Sequence, residues 1–291
     1  MARPASTQIS FLVAGVVGAA AGAMSGLFGV GGGILIVPGL VILGRMPQRK
    51  AHATSLAAIV PIAVAGASGY AMEGAVNWLA AGLLTAGAAV GTVAGTRALR
   101  RLPDRTLRIV YAVFLLLAAG LLPVGVTSVA ETAIDAGVGA LLVAVGILAG
   151  TLAGLLGVGG GIVMIPALVL LASVPQAVAK GTSLAVIVPT ALVGTIQNVR
   201  RGDADLPVAA VAGGAGVLFA FLASLVSVRL DPVVSAALFG LFLVAMAARL
   251  LLSARGRPVP GDRSVSPPPG QRSARRATGR TTSRGRRPTS E

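Results

Sequence analysis

Apolar residues fall into ten runs separated by short polar stretches, five in each half of the chain. The first five lie at roughly 9–27, 31–44, 53–71, 76–98 and 107–127, and the second five at roughly 137–155, 159–173, 181–199, 206–228 and 233–252. Runs of about 17–25 apolar residues are long enough to cross a bilayer as helices. The acidic residues before position 254 (Glu73, Asp104, Glu131, Asp135, Asp203, Asp205 and Asp231) all lie between runs, not inside them. A large soluble helical core would not segregate its charges this way. The pattern therefore predicts an all-α polytopic membrane protein with roughly 8–10 transmembrane segments. The second run of each half is short, giving about 21 Å of helix against a hydrocarbon core of about 30 Å. Each short run is expected either to meet its predecessor as a half-helix inside the membrane or to dip in and return.

The two halves share a sequence. Gly26-Leu27-Phe28-Gly29-Val30-Gly31-Gly32-Gly33-Ile34, closed by Pro38, returns 128 residues later as Gly154-Leu155-Leu156-Gly157-Val158-Gly159-Gly160-Gly161-Ile162, closed by Pro166. In the same register Pro47-Gln48 returns as Pro175-Gln176, Thr54-Ser55-Leu56-Ala57 as Thr182-Ser183-Leu184-Ala185, Pro61 as Pro189 and Gly66 as Gly194. A fixed offset across several motifs marks an internal duplication. The expected organisation is a first transmembrane repeat at 1–128, a second at 129–253, and a separate segment at 254–291. An odd number of crossings per repeat makes the halves inverted relative to one another.

Charge sets the orientation. The loop with Arg45, Arg49 and Lys50 is basic, as are the stretch from Arg97 to Arg108, the pair Arg200-Arg201 and the C-terminal segment. The loops with Glu73, and with Glu131 and Asp135, carry no Lys or Arg. Basic loops stay in the cytoplasm, so both termini are expected there, in a cell (inner) membrane protein; Lys180 and Arg229 violate the pattern. A lone Arg before the first run, without a convincing small-residue cleavage site, reads as a retained helix. The chain is 55% hydrophobic and 11% charged with a net charge of +15, and ten of its 24 basic residues lie in the Pro-, Ser- and Arg-rich stretch after 253. Those are expected to form a disordered basic cytoplasmic tail, with attraction to anionic lipid heads as its sharper use. No motif supports nucleic acid as a partner.

Candidate chemistry is sparse. The chain has no cysteine and one histidine, His52, so metal and thiol chemistry have little to build on. No cofactor and no enzymatic activity are expected, since the runs contain no set of catalytic groups. Gly-Val-Gly-Gly-Gly lacks the Gly-Lys-Ser/Thr of a phosphate loop and the last glycine of a dinucleotide fingerprint. Consecutive glycines weaken a helix and bare its backbone amides, which in a membrane must be buried in protein or line a cavity. A helix starting after such a break directs free N–H groups and a positive dipole end towards anions. The candidate substrate-binding groups are therefore Gly29, Gly31, Gly32 and Gly33 with Gly157, Gly159, Gly160 and Gly161, expected to meet near the midplane around a small anion. Thr54, Ser55, Thr182 and Ser183 open the third run of each half, where they can cap the helix or donate to an oxyanion. Gln197 and Asn198 are further candidates, at the end of a run. His52 aligns with Lys180, and both read as interfacial side chains reaching for water or lipid phosphates, or alternatively as an electrostatic gate. The stripes Gly18, Gly22, Gly26 and Gly146, Gly150, Gly154 read as helix-packing faces.

The paired glycine stretches, each followed by (Ala/Gly)-Thr-Ser-Leu-Ala-x-Ile-Val-Pro, resemble the TauE/SafE sulfite exporter family over roughly residues 9–253. The resemblance implies an integral inner-membrane exporter of small sulfur oxyanions or organosulfonates, with about eight helices. It leaves open a secondary transporter or channel for a different small anion or metabolite, and a membrane scaffold without transport. With no acid in any run, a buried carboxylate relay is not expected. Outward movement of one negative charge gains about 2.3 kcal/mol per 100 mV when the interior is negative, enough to drive an anion exporter.

Overall fold

The computed structural model describes residues 11–98, 135–156 and 160–255, with four isolated helical positions between 113 and 120. Every regular element among the described residues is a helix. They are α1 (Phe11–Phe28), α2 (Gly33–Ile42), α3 (Gln48–Met72), α4 (Trp78–Ala98), α5 (Ala136–Leu156), α6 (Gly161–Leu171), α7 (Gln176–Arg200), α8 (Leu206–Arg229) and α9 (Pro232–Arg255). The fifth run of the first half and the segment after 255 lie outside the described residues, as do the expectations attached to them. Among the described residues, four helices are long and apolar enough to cross a membrane. Large apolar side chains stand outward, with Leu12 74% and Leu241 68% exposed, as suits a protein solvated by lipid.

Polar residues between the runs start the helices. Asn77 Oδ1 accepts the N–H of Ala80 at 2.9 Å and Asp135 Oδ1 that of Val138 at 2.8 Å. Asp205 caps α8, and Asp231 Oδ1 takes the N–H groups of Val233 and Val234. A short side-chain oxygen at this position satisfies a donor that the helix itself cannot. The long helices α3 and α7 begin at Gln48 and Gln176, about five residues earlier than apolarity alone indicated. Pro47 and Pro175 cap them, with φ/ψ of −55/138° and −52/141°. The polar residues that follow are carried inside the helix.

Local geometry repeats at the 128-residue offset. Gly32, before α2, has φ 73° and ψ −15°; Gly160, before α6, has φ 74° and ψ −13°. This left-handed conformation is open to glycine at little cost and explains why these two positions carry no side chain. Met46 N–H bonds Leu40 O at 3.0 Å, as Val174 N–H bonds Leu168 O at 3.2 Å.

Packing between the halves follows from the small-residue stripes. A Cβ added at Gly18, Gly22 or Gly26 would overlap the carbonyl oxygens of Ala212, Gly216 and Ala220, so α1 runs parallel to α8 with the backbones touching. Gly146 and Gly150 of α5 meet the carbonyls of Leu84 and Ala88 of α4 in the same way. Each half thus lays its first helix on the fourth helix of the other. Between these pairs, α3 packs on its counterpart α7. A Cβ at Gly66 would come 2.9 Å from Leu184 Cδ1, and one at Gly194 would come 3.1 Å from Leu56 Cδ1. These contacts ascend one helix while descending the other, so α3 and α7 are antiparallel.

Candidate functional site

The site is built where α1 stops. The chain leaves α1 at Phe28 and passes through Gly29, Gly31 and Gly32, all with φ between 73° and 82°, before α2 starts at Gly33. Three hydroxyls close the carbonyls at this broken end. Tyr70 Oη donates to Gly26 O at 2.8 Å, Ser227 Oγ to Leu27 O at 2.9 Å and Ser183 Oγ to Gly29 O at 3.0 Å. They come from α3, α8 and α7, so two helices of the second half complete a helix of the first. Buried carbonyls freed by a break need such donors.

The opposite side of each break is bare. Neither Gly32 nor Gly160 offers a side-chain bond to the first N–H groups of α2 and α6. Two fully buried hydroxyls, Ser25 Oγ and Ser55 Oγ, have no hydrogen-bond partner.

The two breaks meet. A Cβ at Gly161 would stand 2.7 Å from both Gly29 O and Ser183 Oγ and 3.0 Å from Val30 Cα. Gly31 sits between the long helices, its missing Cβ 3.1 Å from Ile187 Cδ1 and 3.6 Å from Ile59 Cγ2. Gly29 packs on Lys180, where a Cβ would lie 2.8 Å from Lys180 Cα. The junction is packed shut. The cavity beside it, lined by Met24, Val30, Gly32 and Phe242 among others, holds about 10 Å³, about one water. Phe242 stacks on Phe28 with ring centroids 4.9 Å apart, and Phe239 lies 6.1 Å from Phe28.

The predicted residues divide. Gly29, Gly31, Gly161 and Ser183 come together here, with Gly32, Gly33 and Gly160 at the helix starts; Gly157 and Gly159 lie outside the described residues. Thr54 and Thr182 do not cap their own helices, because Pro47 and Pro175 hold those places. Instead Thr54 Oγ1 accepts the N–H of Asp205, and Thr182 Oγ1 that of Asn77, each at 2.9 Å. Gln197 and Asn198 occupy the last turn of α7, about 21 Å along the helix from Ser183, and are not brought to the junction.

His52 is half-buried, its Nδ1 without a partner. Lys180 corrects the sequence reading of an interfacial side chain, being 1% exposed. Its Nζ donates to Ser235 Oγ at 2.7 Å and Ser227 Oγ at 3.1 Å. Lys180 is therefore not a loop charge, and Arg229, the other exception, faces Glu73 at 3.7 Å.

The sequence reading did not single out Tyr70, Ser227, Ser235 or Ser25. Serines and a tyrosine in apolar runs carry no periodic signal; only the repeated Pro-Gln at 47–48 and 175–176 hinted that polar residues there belong to a helix.

A family model described as sulfite exporter TauE/SafE matches residues 1–122 and 142–286. The chain belongs to the sulfite exporter TauE/SafE family. Within the range of this TauE/SafE chain, "Probable membrane transporter protein YunE" of Bacillus subtilis is 25% identical over 221 residues, 68% of this chain and 81% of that protein. A "Probable membrane transporter protein" of Haemophilus influenzae is 36% identical over 120 residues, 39% of this chain and 46% of its own length. One of Xylella fastidiosa is 42% identical over 81 residues, 26% of this chain and 31% of its own length. No solved structure matches the chain. Family and relatives make this TauE/SafE chain a multi-pass membrane transport protein.

Proposed function

We propose that this TauE/SafE protein exports small sulfur oxyanions or organosulfonates across the cytoplasmic membrane, with two inverted halves rocking about the junction of their glycine breaks. The observation that carries this reading is the contact of Gly161 with Gly29 and Val30 between antiparallel α3 and α7. Inverted repeats with interrupted helices and a site at their interface are a recurring design of secondary transporters. At this junction the freed carbonyls already have hydroxyl partners, whereas the N–H ends of α2 and α6 do not, and that imbalance favours an anion. Basic loops place the start of α3 and the end of α7 at the cytoplasm. The packed junction then represents an occluded stage, with Phe28 and Phe242 as an apolar plug beside the break.

Export of a net negative charge is favoured by an interior-negative potential without a proton relay. The test is flux of radiolabelled sulfite and sulfoacetate in proteoliposomes at set voltage and pH. Voltage-dependent efflux of either is expected. Flux that follows only the pH gradient would discard the potential-driven mechanism, and no flux of any sulfur anion would discard the cargo.

A further inference from the structure

Lys180 is an anomaly in this molecule. It is a cation 1% exposed, inside a helix long and apolar enough to span the membrane, and it pairs with no carboxylate among the described residues. Its two bonds go to neutral hydroxyls. Charges inside membrane proteins are costly and are retained for function, and a buried cation without an acid leaves its charge to be met by something else.

We propose that Lys180, Ser235 and Gln176 form an anion-binding station at the extracytoplasmic end of α7, the point from which the cargo leaves. The donors are in place. The ammonium has three N–H groups, of which two are used. Ser235 Oγ accepts from Lys180, and its own hydrogen has no acceptor in the described residues. Gln176, one turn before Lys180 and 7% exposed, donates from Nε2 to Ser235 O at 3.4 Å, a long bond that leaves the second N–H of the amide for a ligand. A small oxyanion supplies several acceptors and the missing charge at once. The station is not demanded by the fold. Ser227 alone satisfies the carbonyl of Leu27. At the equivalent positions of the first half, 128 residues earlier, Lys180, Ser227 and Ser235 become His52, Leu99 and Leu107. The lysine and the two serines therefore belong to the second half of the sequence. Gly29 packs on the backbone of Lys180, so the station adjoins the glycine junction.

This inference rests on the anion-transport reading, and the experiment separates the two. Purified full-length protein in detergent is titrated with sulfite, sulfate and chloride, with melting temperature and Kd recorded for wild type, Lys180→Met, Lys180→Arg and Ser235→Ala. Replacing an uncompensated buried charge by an apolar side chain of similar length is expected to leave the anion-free melting temperature unchanged or raised. The same change should weaken sulfite binding about tenfold or more, the scale of one charge-assisted bond. Lys180→Arg should retain part of the affinity, and Ser235→Ala, which removes an acceptor of Lys180 and lowers the anion-free melting temperature, should lose affinity as a folded protein. Wild-type sulfite binding with unchanged affinity in both Lys180→Met and Ser235→Ala would overturn the station and leave the transport reading standing. Binding of chloride but of neither sulfite nor sulfate, lost in Lys180→Met, would keep the station and remove the sulfur cargo. If Lys180→Met does not fold, Ser235→Ala decides: sulfite bound as tightly as by wild type makes Lys180 a structural residue. Wild type blind to every anion overturns both.

Discussion

Thr54 Oγ1 accepts the backbone N–H of Asp205 at 2.9 Å, and the equivalent Thr182 Oγ1 accepts that of Asn77 at 2.9 Å. Each bond joins the third helix of one half to the residue that caps the fourth helix of the other. The pair is a reciprocal clamp between the halves, made by the threonines of the two Thr-Ser motifs.

Thr54→Val and Thr182→Val keep the shape and remove the acceptor, leaving a partly buried N–H unmatched. Each should cost about 1–3 kcal/mol, by similar amounts, in unfolding from mixed micelles. Sulfite affinity should be unchanged. A large affinity loss in either variant would return the threonines to the cargo site.

Gly161→Ala should stop transport. Its Cβ would meet Gly29 O and Ser183 Oγ at 2.7 Å, forcing the two breaks apart. Gly82→Ala and Gly214→Ala serve as controls, because a Cβ there meets nothing within 4 Å; each should be neutral or stabilising by up to about 1 kcal/mol. Normal flux in Gly161→Ala would show that the breaks need not touch.

Asp205 has two roles and Lys50 one. Asp205 caps α8 at Val208 and pairs with Lys50 at 2.8 Å, with the side chains 25% and 45% exposed. An exposed pair contributes about 0–1 kcal/mol, and loss of a cap costs about 0.5–2 kcal/mol. Asp205→Ala should therefore destabilise more than Lys50→Ala, and the gap should persist at high salt, which screens only the pair. Equal losses that both vanish in salt would reduce Asp205 to its charge.

The absence of cysteine makes topology directly measurable. In intact cells Glu73→Cys, at the end of α3, should react with a membrane-impermeant thiol reagent. Gly202→Cys, at the end of α7, should react only after permeabilisation, because the two helix ends face opposite sides. Reaction of both from outside would exclude the inverted arrangement.

The sequence by itself determined the elements and their kinship. Hydrophobic runs placed most described helices to within a few residues, with α3 and α7 starting about five residues early, because a bilayer fixes the length and polarity of whatever crosses it. A register of 128 residues paired Gly32 with Gly160 and Pro47 with Pro175, and the backbone angles at these pairs agree within a few degrees. The small-residue stripes were legible as packing faces, though not their partners. Tertiary structure decided what the polar residues do. Thr54 reads from sequence as a cap for its own helix or a donor to an oxyanion, but a proline holds the cap position and the hydroxyl reaches the other half. Apolarity alone puts Lys180 just outside its helix, as an interfacial side chain or gate; the helix starts earlier and turns the lysine inward onto Ser227 and Ser235, about 50 residues away in sequence. Ser183 and Gly29 are separated by 154 positions, and a pairing at that distance is set by how the two halves interlock, which no local pattern encodes.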